Sequence, residues 1–435
     1  MYLAKLLDRK EDFQKTADRS IYILILPNPK LMIKRILLAL VVLILAATAI
    51  FWKDIQNVRL AIDYKKAFLP ENVDESFITF YKEYPSTRVE PSSNPLLIPE
   101  REDERVENYV LKDGRPLEDY LNSTQTTAFL VMQGDSLLYE KYFRKHSEEE
   151  NHISFSVAKS FTSSMIGIAV GKGLIESIQD PVDKYVPSLK GSGYEGVAIE
   201  DVLHMSSGIR FNEDYDDIKS DVVRMVFAQL NGSLEEFLGT LENEVEPGTR
   251  WLYKSADAQV LGQILKGATG KTVTELTQEW LWEPLGMEHE AHWMVDGVGM
   301  EMCYGGLNVR ARDYARFGLM FLNEGRNLDS VQVVPADWVA DSYLTDEAHI
   351  TPRYGSNFEN MKWGYGYQWW VAPEEEGEPD PVDFLAIGIF GQFVYINREK
   401  DVVIVKNSAY QDYYNTGLAA KREAAYVMRE IAESL

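Results

Sequence analysis

The stretch that decides the fold is His152-Ile153-Ser154-Phe155-Ser156-Val157-Ala158-Lys159-Ser160, which leads into a run rich in Ala, Ile, Met and small residues. That run predicts a helix from about Ser156 to Lys172. Positions i and i+3 of a helix share one face, so the Lys159 amine can reach the Ser156 hydroxyl. Burial would lower the pKa of the amine until it accepts the hydroxyl proton, and a helix N-terminus favours negative charge developing beside it. Ser156-x-x-Lys159 is the only S-x-x-K in the chain. Alone the motif is weak, because about one is expected by chance at this length, and a solvent-facing pair is the plainer reading.

A second element strengthens it. Tyr253-Lys254-Ser255 follows Pro247-Gly248-Thr249-Arg250-Trp251-Leu252 and opens an apolar helix from Ala256 to Gly267. In the plain reading Tyr253 is a loop aromatic and Ser255 an N-cap. In the functional reading a tyrosine hydroxyl close to Ser156 and Lys159 relays a proton between nucleophile, base and leaving group.

Working outward, Ala128 to Met132, the turn Gly134-Asp135 and Leu137 to Phe143 form a hairpin signal. Phe384 to Ile389, Gln392 to Asn397 and Val402 to Lys406 read as three strands near the other end, followed by a closing amphipathic helix from Thr416 to Leu435. Strands at both ends with helical patterns between them predict an α/β (α+β) domain: one antiparallel sheet built from both termini, flanked by helices, with a helical lobe inserted at about 180–300. The domain is expected over 113–435. Residues 53–112, charged and broken by Pro70, Pro85, Pro91, Pro95 and Pro99, read as a stalk that wraps it.

The 435 residues carry 44 Lys+Arg against 68 Asp+Glu, a net charge of -24. Such a surface repels phosphate, so no nucleic-acid partner is expected. Cys303 is the only cysteine, which excludes an intrachain disulfide, a cysteine metal cluster and a lipid-modified N-terminal cysteine; it reads as a buried neutral thiol. Ile36 to Trp52 is uncharged and preceded by Lys34-Arg35, the pattern of a single-pass transmembrane helix. Ala47-Thr48-Ala49 keeps open the alternative of a cleaved signal, though Ile50-Phe51-Trp52 continue the apolar run beyond it. Residues 1–53 hold nine basic against four acidic side chains, net +5, leaving -29 for the rest. The positive-inside rule then puts the leader 1–35 in the cytoplasm and the acidic body outside a bacterial cytoplasmic membrane, facing the periplasm, anchored or exported. Met32-Ile33-Lys34-Arg35 makes a complete basic leader by itself, which points to Met32 as the start and to 1–31 as untranslated.

Beyond the two motifs, AspProValAspLysTyrValPro (180–187), AspValLeuHisMetSerSerGlyIle (201–209), GluProGlyThrArgTrpLeuTyrLysSer (246–255), TrpGluProLeuGlyMet (282–287), GlyGlyLeuAsnValArgAlaArgAspTyrAlaArgPheGly (305–318) and TrpGlyTyrGlyTyrGlnTrpTrp (363–370) occur in order. In these stretches the chain resembles the serine β-lactamase and penicillin-recognising superfamily over about 128–435, in its class C β-lactamase-related branch of esterases, D-amino-acid peptidases and 6-aminohexanoate-dimer hydrolases. The resemblance implies Ser156 as the acylated nucleophile, Lys159 as its base and Tyr253 as the tyrosine of a Y-x-N or Y-x-S element whose third place, a substrate-binding one, falls to Ser255. The family's third element is K-T-G or H-x-G; here the strand reads Ala386-Ile387-Gly388-Ile389-Phe390-Gly391-Gln392, with no basic residue. Aligned on Gly388, a substrate-binding position, the amides of Ser156 and Ile389 form the oxyanion hole; a register on Gly391 and Gln392 is the less favoured option. The missing cation argues against a true β-lactamase, since a cation there recognises the carboxylate of penicillins. The nearest group is then the 6-aminohexanoate-dimer hydrolases.

The expected activity is serine hydrolysis of a small amide or ester, without cofactor or metal. A β-lactamase or cell-wall D-amino-acid peptidase is the rival enzyme, and an idle ligand sensor the rival of another class, disfavoured because Ser156, Lys159 and Tyr253 all remain. His289-Glu290-Ala291-His292 lacks the i+4 spacing of a zinc helix, and no G-x-S-x-G elbow occurs. His204, Ser206 and Ser207 read as packing and turn residues, and Trp363, Tyr365, Tyr367, Trp369 and Trp370 mainly as core aromatics. Nothing in the sequence sets an oligomeric state.

Overall fold

The computed structural model describes residues 30, 33–34, 36–42, 59, 62–345, 347, 349, 363–372, 383–416 and 418–435. Residues 63–435 form one compact unit, and 1–62 another. Among the described residues no helix is long and apolar enough to cross a membrane. Of the run 36–52 only 36–42 are described; the rest of it, and almost all of the leader, lie outside the described residues, as does the whole stretch 351–362.

Seven antiparallel strands make the main sheet: β2 (Thr126–Gln133), β3 (Ser136–Tyr142), β7 (Gly364–Tyr365), β8 (Trp370–Val371), β9 (Asp383–Gly388), β10 (Gln392–Asn397) and β11 (Val402–Ser408), in the order β3-β2-β11-β10-β9-β8-β7. The expected hairpin and three late strands are all present, and β11 pairs with β2, joining the two ends of the chain in one sheet. Its strands are apolar almost throughout because both faces are covered. Helix α4 (Ala311–Leu322) sits on one face, where a Cβ at Gly318 would meet Val403 and Val394. The face of Asp383 and Tyr395, one residue out of phase, belongs to helix α5 (Leu418–Ser434), whose Arg429 forks onto Asp383 at 2.6 and 2.8 Å.

A second sheet, β1-β5-β6-β4, departs from the single sheet expected. Its members β1 (Ser86–Val89), β4 (His152–Ile153), β5 (Ala291–Met294) and β6 (Leu307–Val309) are two to four residues long, too short to carry a period-2 signal. This small sheet positions the site. β4 runs straight into Ser154, whose amide donates to Leu307 O at 2.7 Å, so the chain enters the Ser156 turn from a fixed register. The wrapping segment expected over 53–112 joins the compact unit at Asp63 and supplies β1 and helix α1 (Val73–Glu83), which buries Val73, Phe77 and Phe80. Helix α3 (Ser255–Thr269) packs on helix α2 (Ala158–Gly171) and on a lobe of short helices including Ile199–Leu203, Asp221–Asn231 and Leu234–Leu238.

Arg429 and Asp383 are both buried, and Tyr395 Oη also donates to Asp383 at 2.7 Å. Removing the guanidinium leaves a carboxylate uncompensated beneath α5. Arg429→Met is expected to destabilise the unit by about 3–5 kcal/mol, read as a lowered denaturant midpoint.

Candidate active site

Ser156 is the middle residue of a single 3-10 turn, Phe155–Val157, that leads directly into α2. Phe155 is left-handed, with φ 45°, a conformation that costs a bulky side chain about 1 kcal/mol or more. Nearly every residue of α2 is buried, so Lys159 has no route to solvent and is 1% exposed. Its ammonium donates to Ser156 Oγ at 2.8 Å, to Tyr304 O at 2.7 Å and to Ser255 Oγ at 3.3 Å. Desolvation lowers its pKa to about 7, against the opposing pull of Glu213.

Tyr253 comes from a loop whose backbone is tied to its neighbour: Gly248 N donates to Ser206 O and Leu252 N to Met205 O. Lys254, the central residue of Tyr-x-Ser, turns into the protein, where its buried ammonium meets Asp257 (3.3 Å), Ser207 Oγ (3.2 Å) and Met205 O (3.2 Å). Ser207 therefore belongs to the anchor of the tyrosine loop. Tyr253 itself hydrogen-bonds Ser156, and its ring lies 5.5 Å from that of Trp370 at 23°. Burial, then the Glu213 carboxylate, push its hydroxyl well above the usual tyrosine range.

The structure thus brings Ser156, Lys159 and Tyr253 together. Ser255 is different from its expected place: it is the first residue of α3, with Lys254 as the N-cap, and is fully buried. Its hydroxyl donates to Glu213 Oε1 at 2.6 Å and its amide to Oε2 at 2.8 Å, so it is Glu213, absent from the sequence reading, that reaches the cleft. Burial raises the Glu213 pKa, and Lys159 and Ser255 oppose that rise.

A cleft of about 220 Å³ is lined by Ser156, Tyr253, Glu213, Trp370, Gly388, Ile389 and Lys421, among others. Gly388 and Ile389 share it with Ser156, whereas Gly391 faces Ser408 and Lys406, and Gln392 is spent on Ser408 O. Of the aromatic run 363–370 all five large rings are buried and Trp370 alone among them lines the cleft. Lys421, in the first turn of α5, was also missed; its ammonium lies 5.3 Å from the centre of the Trp370 ring, and burial lowers its pKa to about 8, with Glu213 opposing. Glu213 lies in a stretch with no spacing pattern and Lys421 in a closing helix whose pattern marks no site, and only the folded chain brings them here. Among the described residues no His, Cys, Asp and Glu cluster is arranged to hold a metal; His289 pairs with Asp313 and His292 with Glu290. Cys303 is free and buried, and burial pushes its thiol well up.

A cleft serine bonded to a buried lysine, with a tyrosine beside them, at the junction of a helix and an antiparallel sheet, fits a serine hydrolase. The model of the Beta-lactamase family matches residues 117–425, and the chain belongs to that family. Over 304 residues it is 33% identical to the 6-aminohexanoate-dimer hydrolase of Paenarthrobacter ureafaciens, covering 68% of this chain and 76% of that one. A protein of Escherichia coli provisionally named D-alanyl-D-alanine carboxypeptidase is 28% identical over 116 residues, 25% of this chain and 26% of its own. Among solved structures, one from Bacillus anthracis provisionally named a 6-aminohexanoate-dimer hydrolase superposes with a TM-score of 0.72 at 22% identity, covering 83% of this chain and 95% of that one.

Gly388 is the closest point between β9 and the Ser156 turn: a Cβ there would sit 2.5 Å from Ser154 O, a backbone atom with little freedom to yield. Gly388→Ala is expected to cost about 1–3 kcal/mol by overpacking, seen as a lower thermal midpoint, and to slow labelling of the serine by a fluorophosphonate.

Proposed function

We propose that the chain hydrolyses an amide or ester bond of a small substrate through an acyl-enzyme on Ser156. The observation that carries this reading is the buried Lys159 amine 2.8 Å from Ser156 Oγ, with a pKa brought down to about 7 by desolvation. Near neutral pH a large fraction of the amine is free base, while Tyr253, pushed the other way, keeps its proton. The two shifts divide the labour.

Lys159 takes the Ser156 proton as Oγ attacks the carbonyl carbon, and the amides of Ser156 and Ile389 hold the oxygen of the tetrahedral intermediate. Collapse breaks the bond to the leaving amine or alkoxide, which receives a proton through Tyr253, itself reprotonated from Lys159. Water then attacks the acyl carbon along the reverse proton path and releases a carboxylic acid and Ser156. Glu213, bonded to Ser255, raises the Lys159 pKa and so keeps the base from becoming too weak.

The substrate class we favour is an amide with a carboxylate at some distance from the scissile bond, as in a 6-aminohexanoate dimer. The strand beside the site has no basic residue, and the cation lining the cleft is Lys421, seated over Trp370. A cation delivered from the C-terminal helix suits a longer, flexible acid better than the compact bicycle of a penicillin. The Escherichia coli relative keeps a D-amino-acid peptidase in view as the second reading.

Fluorophosphonate labelling, nitrophenyl-ester hydrolysis and cephalosporin turnover separate these readings. Ser156→Ala is expected to abolish labelling and ester hydrolysis; labelling that persists overturns the assignment, and fast cephalosporin turnover overturns the preference against a β-lactamase. Because only the free amine can accept a proton, kcat/KM should climb as pH rises through about 7 and then level off, and Lys159→Met should lower it by about 10²–10⁴-fold with the fold intact.

Lys421→Met is expected to reduce the preference for a 6-aminohexanoate dimer over its terminal carboxamide by about 10–100-fold in kcat/KM, the range of one charge-assisted hydrogen bond. An equal effect on both substrates would remove Lys421 from carboxylate recognition.

A further inference from the structure

Two residues flank the reacting centre with left-handed backbones: Phe155, directly before Ser156, at φ 45°, and Phe390, directly after Ile389, at φ 63°. Neither is glycine, and bulky side chains occupy this region only when their surroundings hold them there. Their surroundings are each other and two rings from the N-terminal segment. Phe155 and Phe390 lie 5.4 Å apart. Phe77 of α1 meets Phe155 at 5.1 Å (73°) and Phe390 at 5.3 Å (66°), both edge-to-face. Phe68 stacks on Phe390 at 5.4 Å and 21°. Further rings, Phe80, Tyr64 and Tyr84, back these two. The backbone is tied down as well: Gln411 Nε2 donates to Phe68 O at 3.1 Å, and Tyr410 N to Phe390 O at 3.1 Å.

Residues 68 and 77 precede the part of the chain matched by the Beta-lactamase family model, which starts at residue 117. Neither lines the cleft. What they do touch are the residues that set where the Ser156 and Ile389 amides stand. We infer that Phe68 and Phe77 are positioning residues for hydrolysis: the N-terminal segment clamps Phe155 and Phe390 in their left-handed conformations and thereby fixes the spacing of the two amides that receive the oxyanion. The inference rests on the proposed reaction at Ser156. One edge-to-face contact on Phe155, and one edge-to-face contact with one stack on Phe390, oppose relaxation of these φ angles to negative values, because that relaxation would swing a ring out of the cluster.

The test compares Phe77→Ala with Phe129→Ala, a fully buried phenylalanine on β2 outside this cluster, at a temperature well below both thermal midpoints. The expected result is that Phe77→Ala lowers kcat and the rate of fluorophosphonate labelling by about tenfold or more, with KM changed little, and that Phe129→Ala keeps kcat despite a comparable loss of thermal midpoint. Phe77→Leu, which keeps bulk, should recover most of the rate. Should Phe77→Ala prove too unstable, Phe68→Ala, at a half-buried position, is read against the same control. Unchanged kcat in the Phe77 and Phe68 variants, or a loss that simply follows the thermal midpoint in all of them, overturns the clamp. Ser156→Ala run alongside reports on the proposed reaction separately: its retained activity would sink that reading, whereas the ratio between the Phe77 and Phe129 variants bears on the clamp.

Discussion

The structure depends on keeping one amine dry. A lysine in water is almost wholly protonated at neutral pH; 1% exposure brings Lys159 to about 7. That burial demands a helix packed on nearly all sides, which α2 is, and acceptors for the amine's hydrogens, which Ser156, Ser255 and Tyr304 O provide. Each acceptor comes from a different part of the chain, so α2, α3 and the turn before β6 must all be in place for the amine to be satisfied. Close packing enforces this: a Cβ at Gly262 on α3 would sit 2.3 Å from Cys303 Sγ, one residue before the Tyr304 carbonyl.

Glu213 complements this arrangement. Its two oxygens hold the amide and hydroxyl of Ser255, and its charge pulls the pKa of Lys159 and Lys421 up and pushes that of Tyr253 further up. One carboxylate therefore acts on Lys159, Lys421 and Tyr253 together. Such a residue leaves no mark in a single sequence: it lies in the stretch Phe211 to Asp217, among three other acids, and its distance along the chain from Ser156 and Tyr253 follows no helical or strand period.

Legibility in the sequence followed length and locality. Strands of six to eight residues, the β2–β3 hairpin and the long helices α2, α3 and α5 have enough residues to show a pattern, and Ser156 with Lys159 is a spacing within one helix turn. Tyr253 was found through the residues around it. The second sheet escaped because β4 has two residues and β1 four. Ser255 opens α3 and bonds Glu213, and nothing local tells whether a helix's first hydroxyl faces a cleft or a buried acid. Lys421 lay hidden in the polar face of an amphipathic helix, where a lysine is normally just solvated. The aromatic residues at 68 and 77 looked like stalk composition, and their meeting with Phe155 and Phe390 is a property of the fold alone.

The pairing of β2 with β11 has a consequence for the life of the chain before it is an enzyme. Residues 126–133 emerge from the ribosome long before 402–408, and until then the hairpin β2–β3 presents an unpaired apolar edge with no neighbour. Ser156 and Lys159 are likewise synthesised early, while Ile389, in the turn after β9, and the helix carrying Lys421 come last. An unfinished chain therefore holds Ser156 and Lys159 without the residues that close the other side of the cleft. The same order makes the nascent protein a client for whatever shields hydrophobic edges, because so many of its pairings span hundreds of residues and must form late.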